Sequence, residues 1–250
     1  MNRPITICDD SFQSAWANAI RELSNNGWTA WNLIAHVNFP ELINKEIDST
    51  LNHFAVEHNL IPPKHVAHTI FPQTFWKNGT SKERFYEKYL RFYQWSRSKA
   101  HHGWGTYFER MIRYVAPSGE ITDQLGNIIH RIKTGQKNYG ASYAMVIPYP
   151  HKDLNKLMGA PCLNYITVQV ENAPEQTNKK RISLMAVYRN HDFTERTYGN
   201  YLGLCNLLKY IAYESNSFIG SLTCISSHAY VPCKKSELLC IANTILGVNA

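Results

Sequence analysis

The sequence predicts an α+β fold. Apolar residues recur at helical spacing up to about Lys133, and short runs rich in β-branched residues take over after Ser142. The 250 residues are 44% hydrophobic, with 15 Tyr, 10 Phe and 6 Trp, enough to build a sizeable core.

Taken in order, Asp10 or Ser11 can cap a helix over residues 12–23, with Phe12, Trp16, Ile20 and Leu23 on one face. Asn25, Asn26 and Gly27 end it. A second helical stretch is expected over residues 40–58, and Pro62-Pro63 then breaks the chain. Residues 82–97 read as a helix whose Phe85, Tyr89, Phe92 and Tyr93 stripe is core packing. Pro117-Ser118-Gly119 is a turn, and Asp123 starts a helix carrying Leu125, Ile128, Ile129 and Ile132. Strands are expected over residues 144–147, 165–170 and 182–188, the last two joined by a polar hairpin connection. An apolar helix over residues 201–213 and a strand over 222–225 complete the pattern.

The formal net charge of +7 suits an anionic ligand such as a nucleotide; ordinary solubility explains it equally well. The basic residues are scattered, and the densest runs, Lys179-Lys180-Arg181 and Lys234-Lys235, fall short of a dedicated nucleic-acid arm. None of the six cysteines is spaced C-x-x-C, which argues against a zinc ribbon, and no metal is expected. The N-terminal stretch is polar, and no run approaches the roughly 20 apolar residues of a membrane span. A cytoplasmic protein with free thiols and no membrane partner is the expectation.

Several segments of the C-terminal half carry chemistry. Gly159-Ala160-Pro161-Cys162 opens a strand, and Tyr188-Arg189-Asn190-His191-Asp192 closes one. Gly199-Asn200 opens the apolar helix, and Ser227-His228-Ala229-Tyr230 follows. In this order and spacing they resemble the thymidylate synthase family, in which a Pro-Cys-His opens a strand. There an Arg-Ser-x-Asp, a Phe-Asn at the start of a long helix and a His-x-Tyr follow. The intervals from Arg189 through Asp192 to Asn200 match without a gap. The run from Asp153 to Leu157 is similar to the family's segment before the cysteine, and Gly105 to Arg110 more faintly to its Gly-Pro-x-Tyr-Gly stretch. The resemblance covers residues 103–235 and treats 1–100 as a divergent, helical N-terminal region of one 250-residue domain. It implies a mixed sheet with flanking helices, a homodimer joined through sheet faces, and methylenetetrahydrofolate as cofactor.

The resemblance also implies roles. Cys162 is the nucleophile whose thiolate adds to C6 of a uracil ring. Arg189 favours that thiolate and holds a phosphate. Asn200 offers one donor and one acceptor, matching uracil's N3–H and O4; its ordinary alternative is a helix N-cap. His228 and Tyr230, on one face of a strand, contact the sugar. Asp192 suits the paired N–H donors of the folate ring, and Asn190 stands where the family has a phosphate-binding Ser.

Departures accompany the match. Ser142 and Tyr143 stand where the family has two phosphate-binding arginines, and Leu163 where it has His. The arginine loop near the N-terminus and the His-Glu-Leu-Leu-Trp segment are absent. Lys133, Lys137 and Arg110 are candidates for the lost phosphate contacts, and Glu41, Glu46, Glu57 and Glu109 for the general base. The expected activity is methyl or hydroxymethyl transfer to C5 of a uracil-type nucleotide or nucleoside, with a weakened preference for the monophosphate. The alternative is a protein of this fold repurposed to bind a nucleotide or a partner; nucleic-acid binding rests on charge alone.

Overall fold

The computed structural model describes residues 3–97, 104–135, 143–153, 155–156, 159–173 and 179–248. Its centre is a seven-stranded mixed sheet. The strands are β1 (Ile5–Asp9), β2 (Thr29–Val37), β5 (Ala144–Val146), β6 (Leu163–Asn172), β7 (Lys180–Tyr188), β8 (His191–Asp192) and β9 (Phe218–Tyr230). The order is β1-β2-β9-β7-β6-β5, with β8 pairing beside β9. A separate hairpin joins β3 (Tyr114–Val115) to β4 (Ile121–Thr122) across the expected Pro117 turn. The expected α+β class, a mixed sheet with flanking helices, is what the chain adopts.

Two crossovers supply the parallel pairs. Helix α1 (Phe12–Asn25) joins β1 to β2, and α8 (Thr197–Glu214) carries the chain from β7 and β8 back to β9. The two helices meet on one face of the sheet, where the Tyr198 ring lies edge-on to Phe12 at 5.2 Å and to Trp16 at 5.6 Å. Ser11 caps α1, accepting from the Ser14 N–H at 3.1 Å, as its residue type led one to expect. Helix α8 is apolar nearly all round because it is buried nearly all round. Gly203 lets α3 (Pro63–Ile70) lie against it: a Cβ there would stand 2.8 Å from the Ala67 carbonyl oxygen.

Other helices flank this core. Among them α4 (Lys82–Arg97) buries Phe85, Tyr89 and Tyr93 but leaves Phe92 at 44% exposure. Helix α6 (Gln124–Thr134) starts at the expected Asp123 cap and buries all four of its predicted apolar residues. Helix α2 (Lys45–Glu57) begins later than residue 40 because Asn44 caps it, accepting from the Glu46 N–H at 2.9 Å. Pro62-Pro63 both interrupts the chain and starts α3, since proline in a first helical turn removes no needed donor.

The first hundred residues are not purely helical. They contribute β1 and β2, and β2 pairs antiparallel with β9 along eight registered positions from Thr29–Tyr230 to Val37–Leu222. Alternation gives the sheet two unlike faces. Leu33, Ala35, Leu184, Ala186, Ile166 and Cys224 are buried under the helices. On the other face Ile34, Ile225, Val187, Tyr165 and Val146 form one continuous half-exposed to exposed row across five strands. No helix among the described residues is long and apolar enough to cross a membrane.

Candidate functional site

The predicted residues gather at one end of the sheet, around the start of β6 and the ends of β7 and β9. Cys162 is half-buried just before β6, and its N–H donates to the Tyr107 hydroxyl oxygen at 3.3 Å. Tyr107 belongs to α5 (Tyr107–Ile112), so the faintly matching 105–110 stretch does reach the cysteine. The Cys162 carbonyl accepts the Arg189 N–H at 2.9 Å. The Arg189 side chain reaches back along the same loop: Nε donates to the Pro161 carbonyl and Nη2 to that of Ala160, both at 3.2 Å.

The electrostatics of Cys162 differ from the expectation of an activated thiolate. Burial pushes the thiol up from its ordinary value, and Asp192 adds to the rise. The guanidiniums of Arg189 and Arg196 pull the other way without overcoming burial. The Arg189 charge lowers the thiol but does not offset its burial. Cys205 and Cys224, fully buried, are driven higher still, Cys205 to about 12.

Asn190 is bonded to its neighbours on the site. Its Oδ1 accepts from His228 Nδ1 at 2.7 Å, and its side chain also bonds the Tyr230 hydroxyl. The opposite ring nitrogen of His228, Nε2, shares a hydrogen bond with the Thr29 hydroxyl at 3.0 Å, so His228 is held at both edges. The His228 and Tyr230 rings stack at 5.3 Å, and exposed Trp31 leans over His228 at 4.7 Å. Burial and the Asp192 charge raise the Tyr230 hydroxyl. Asp192 is itself raised, chiefly by burial, although its Oδ1 accepts the N–H groups of Thr194 at 2.8 Å and Glu195 at 3.2 Å.

Asn200 is not a helix cap; Arg196 occupies that position and Asn200 lies inside α8, 4% exposed. Its Nδ2 donates to His191 Nε2 at 3.0 Å, and His191 Nδ1 donates to the Ser226 hydroxyl at 2.8 Å. Burial depresses His191 to about 3, so the ring is neutral and its Nε2 is an acceptor. It stacks face to face on Tyr188 at 4.0 Å. This buried chain ties down the amide that the sequence had singled out, through a histidine it had passed over.

The other candidates separate cleanly. Every guanidinium nitrogen of Arg110 is matched within the protein, which removes it as a phosphate ligand: Nε and Nη2 donate to the Trp104 carbonyl at 3.2 and 3.0 Å, Nη1 to that of Ile147 at 3.1 Å, and both terminal nitrogens to Asp153. Lys133 is exposed on α6, and its charge acts on Glu214. Lys137 and Ser142 lie outside the described residues, and Tyr143 is buried in the core. Glu41, Glu46 and Glu57 are exposed, and Glu109 lies beside Gly105; the carboxylate that acts on Cys162 is Asp192. Sequence reasoning missed Arg196, Tyr107 and His191. The first and last lie inside the very run, Arg189 to Asn200, that carried the resemblance.

Fold and site together define an α+β protein with a half-buried thiol, two guanidiniums and a fixed amide at one end of a mixed sheet. No protein-family model matches the chain, and no curated protein matches it in sequence. Among the described residues no group of three or more His, Cys, Asp or Glu side chains converges to hold a metal ion.

Proposed function

We propose that the protein is a thymidylate-synthase-like transferase that adds a one-carbon unit, methyl or hydroxymethyl, to C5 of a uracil-type nucleotide. One observation carries the reading: Cys162, Arg189, Asp192 and Tyr230 share one electrostatic neighbourhood, with Asn190 and His228 bonded into it. In the proposed step the Cys162 thiolate gives an electron pair to C6, forming a C–S bond. The C5–C6 π pair moves toward C5 and O4, leaving C5 nucleophilic. Asn200, with one Nδ2 hydrogen given to His191, keeps a second N–H for O4 and its Oδ1 for N3–H of the ring. Methylenetetrahydrofolate would supply the one-carbon unit and, for a methyl product, the hydride that reduces it, C5 giving up its hydrogen as a proton; a hydroxymethyl product would take water instead. The half-buried Asp192 carboxylate suits the N–H donors of the folate ring. The apolar row from Ile34 to Val146 supports the homodimer through sheet faces; light scattering of Val187→Lys and Ile225→Lys variants tests it, with dissociation expected.

Reversible addition at C6 makes C5 exchange its hydrogen with solvent. Nuclear magnetic resonance of deoxyuridine monophosphate in heavy water is expected to show loss of the C5–H signal with the wild type and none with Cys162→Ser. Deoxycytidine monophosphate is expected to bind more weakly, because the wrong edge leaves buried amide groups unpaired. Binding without exchange would favour the second reading, a nucleotide-binding protein without turnover, to which the raised Cys162 thiol already lends support.

A further inference from the structure

Arg196 stands at the junction of the site-bearing segments. Its N–H donates to the Asp192 carbonyl at 3.1 Å, and its own carbonyl accepts the Asn200 N–H at 2.9 Å. Its Nε lies 3.2 Å from Glu195 Oε2, while Glu195 Oε1 accepts the Ile61 N–H at 2.9 Å. A carboxylate pinned by distant backbone thus aims the guanidinium, whose side chain keeps 38% exposure. The charge of Arg196 acts on four site groups, drawing Cys162, Tyr107, Asp192 and Tyr230 each toward the anionic form. Arg189, by contrast, spends Nε and Nη2 on the Pro161 and Ala160 carbonyls. Arg110 is spent on the core, and buried Tyr143 cannot replace a cation.

We propose that Arg196 is the anion-holding residue of this site, taking the phosphate of the pyrimidine ligand while Arg189 holds the Cys162 loop. This rests on the nucleotide reading above and reverses one expectation from the sequence. A guanidinium within the same subunit stands in for the missing arginine pair, so the preference for a monophosphate is retained. A planar fork suits phosphate oxygens better than an ammonium does.

Calorimetric titration of the full chain with deoxyuridine and its monophosphate tests the assignment. The wild type is expected to favour the monophosphate by about 10- to 100-fold, the scale of one charge-assisted contact. Arg196→Ala is expected to lose that preference and Arg196→Lys to keep part of it; full preference in Arg196→Ala overturns the assignment. Without any ligand, the pH–rate curve for iodoacetamide labelling of Cys162 is expected to move to higher pH in Arg196→Ala; an unmoved curve also overturns it. If the wild type binds neither compound, the nucleotide reading fails on its own, and inorganic phosphate decides the anion site. Phosphate that slows Cys162 labelling in the wild type but not in Arg196→Ala supports the site, and phosphate without effect overturns it.

Discussion

Arg110 lies 2% exposed between the rings of Trp104 and Tyr149, its guanidinium carbon 5.2 and 4.2 Å from their centroids. Arg196, 38% exposed, has the neighbouring Glu195 at 3.2 Å and a half-buried thiol, a carboxylate and two phenols within reach of its charge. The first side chain is consumed by the protein that surrounds it. The second is aimed by the protein at groups that titrate. A guanidinium stabilises the fold when its donors and its desolvation are both met internally, and it can serve a ligand when they are not. Being basic and near a motif in sequence does not tell the two apart.

The largest expected effect tests the buried member. Asp153→Ala strips Arg110 of its carboxylate and is expected to cost about 3–5 kcal/mol in urea unfolding, because an uncompensated charge is left buried. A loss of under about 1 kcal/mol would dissolve the contrast with Arg196. Hydrogen bonds from Arg110 and the Tyr149 N–H hold the Asp153 carboxyl below its usual range despite burial. Its contribution is therefore present above the unfolded carboxyl value and lost as pH falls through the lower folded value.

The second effect concerns His191, buried beside the site. Its folded pKa of about 3 lies below the ordinary 6.5, so in acid the unfolded chain takes up a proton that the folded chain refuses. Stability is expected to fall as pH drops below 6.5 toward 3, by at most roughly 1.4 kcal/mol per pH unit. Denaturant melts at several pH values measure it, and His191→Asn should flatten that part of the profile. An equally steep wild-type and variant profile would remove the histidine from the account.

Smaller effects bound the comparison. Gly203→Ala places a methyl group against α3 and is expected to cost about 1–3 kcal/mol in thermal unfolding. Arg91 pairs with Glu87 on the outer face of α4 and is a third kind of arginine, mostly exposed. Arg91→Ala is expected to change stability by no more than about 0.5 kcal/mol, since solvent screens such pairs. A larger loss would mean that exposure is a poor guide to what these arginines do.

Much of the architecture was legible. Of the two caps open for the first helix, Asp10 and Ser11, it is Ser11 that serves; Asp123 caps the helix it is expected to start, and residues 82–97 form the helix their pattern suggests. The strands over residues 165–170 and 182–188 are longer by a few residues, extended by their mutual ladder. Strands β1 and β2 were not legible. β1 is a five-residue edge strand, and in β2 Asn32, at φ 58°, interrupts the alternation that would have marked it. Their partners lie elsewhere in the chain, β2 pairing with β9 far downstream, and no local pattern encodes such a pairing.

The sequence by itself determined the α+β class, the capped helices, and a thiol, an amide and a His-x-Tyr pair in a fixed order, because these follow from local periodicity and side-chain chemistry. Tertiary structure decided the terms on which each works. Helix α8 starts at Thr197, so Asn200 is an interior residue anchored on His191 rather than a cap. Burial outweighs two guanidiniums at Cys162. Asp153, Trp104 and Ile147 consume Arg110, whereas Ile61 and Glu195 aim Arg196. Asp153 and Ile147 lie tens of positions from Arg110, and Ile61 lies further still from Glu195, so charge and donor availability emerge only once the chain has closed on itself.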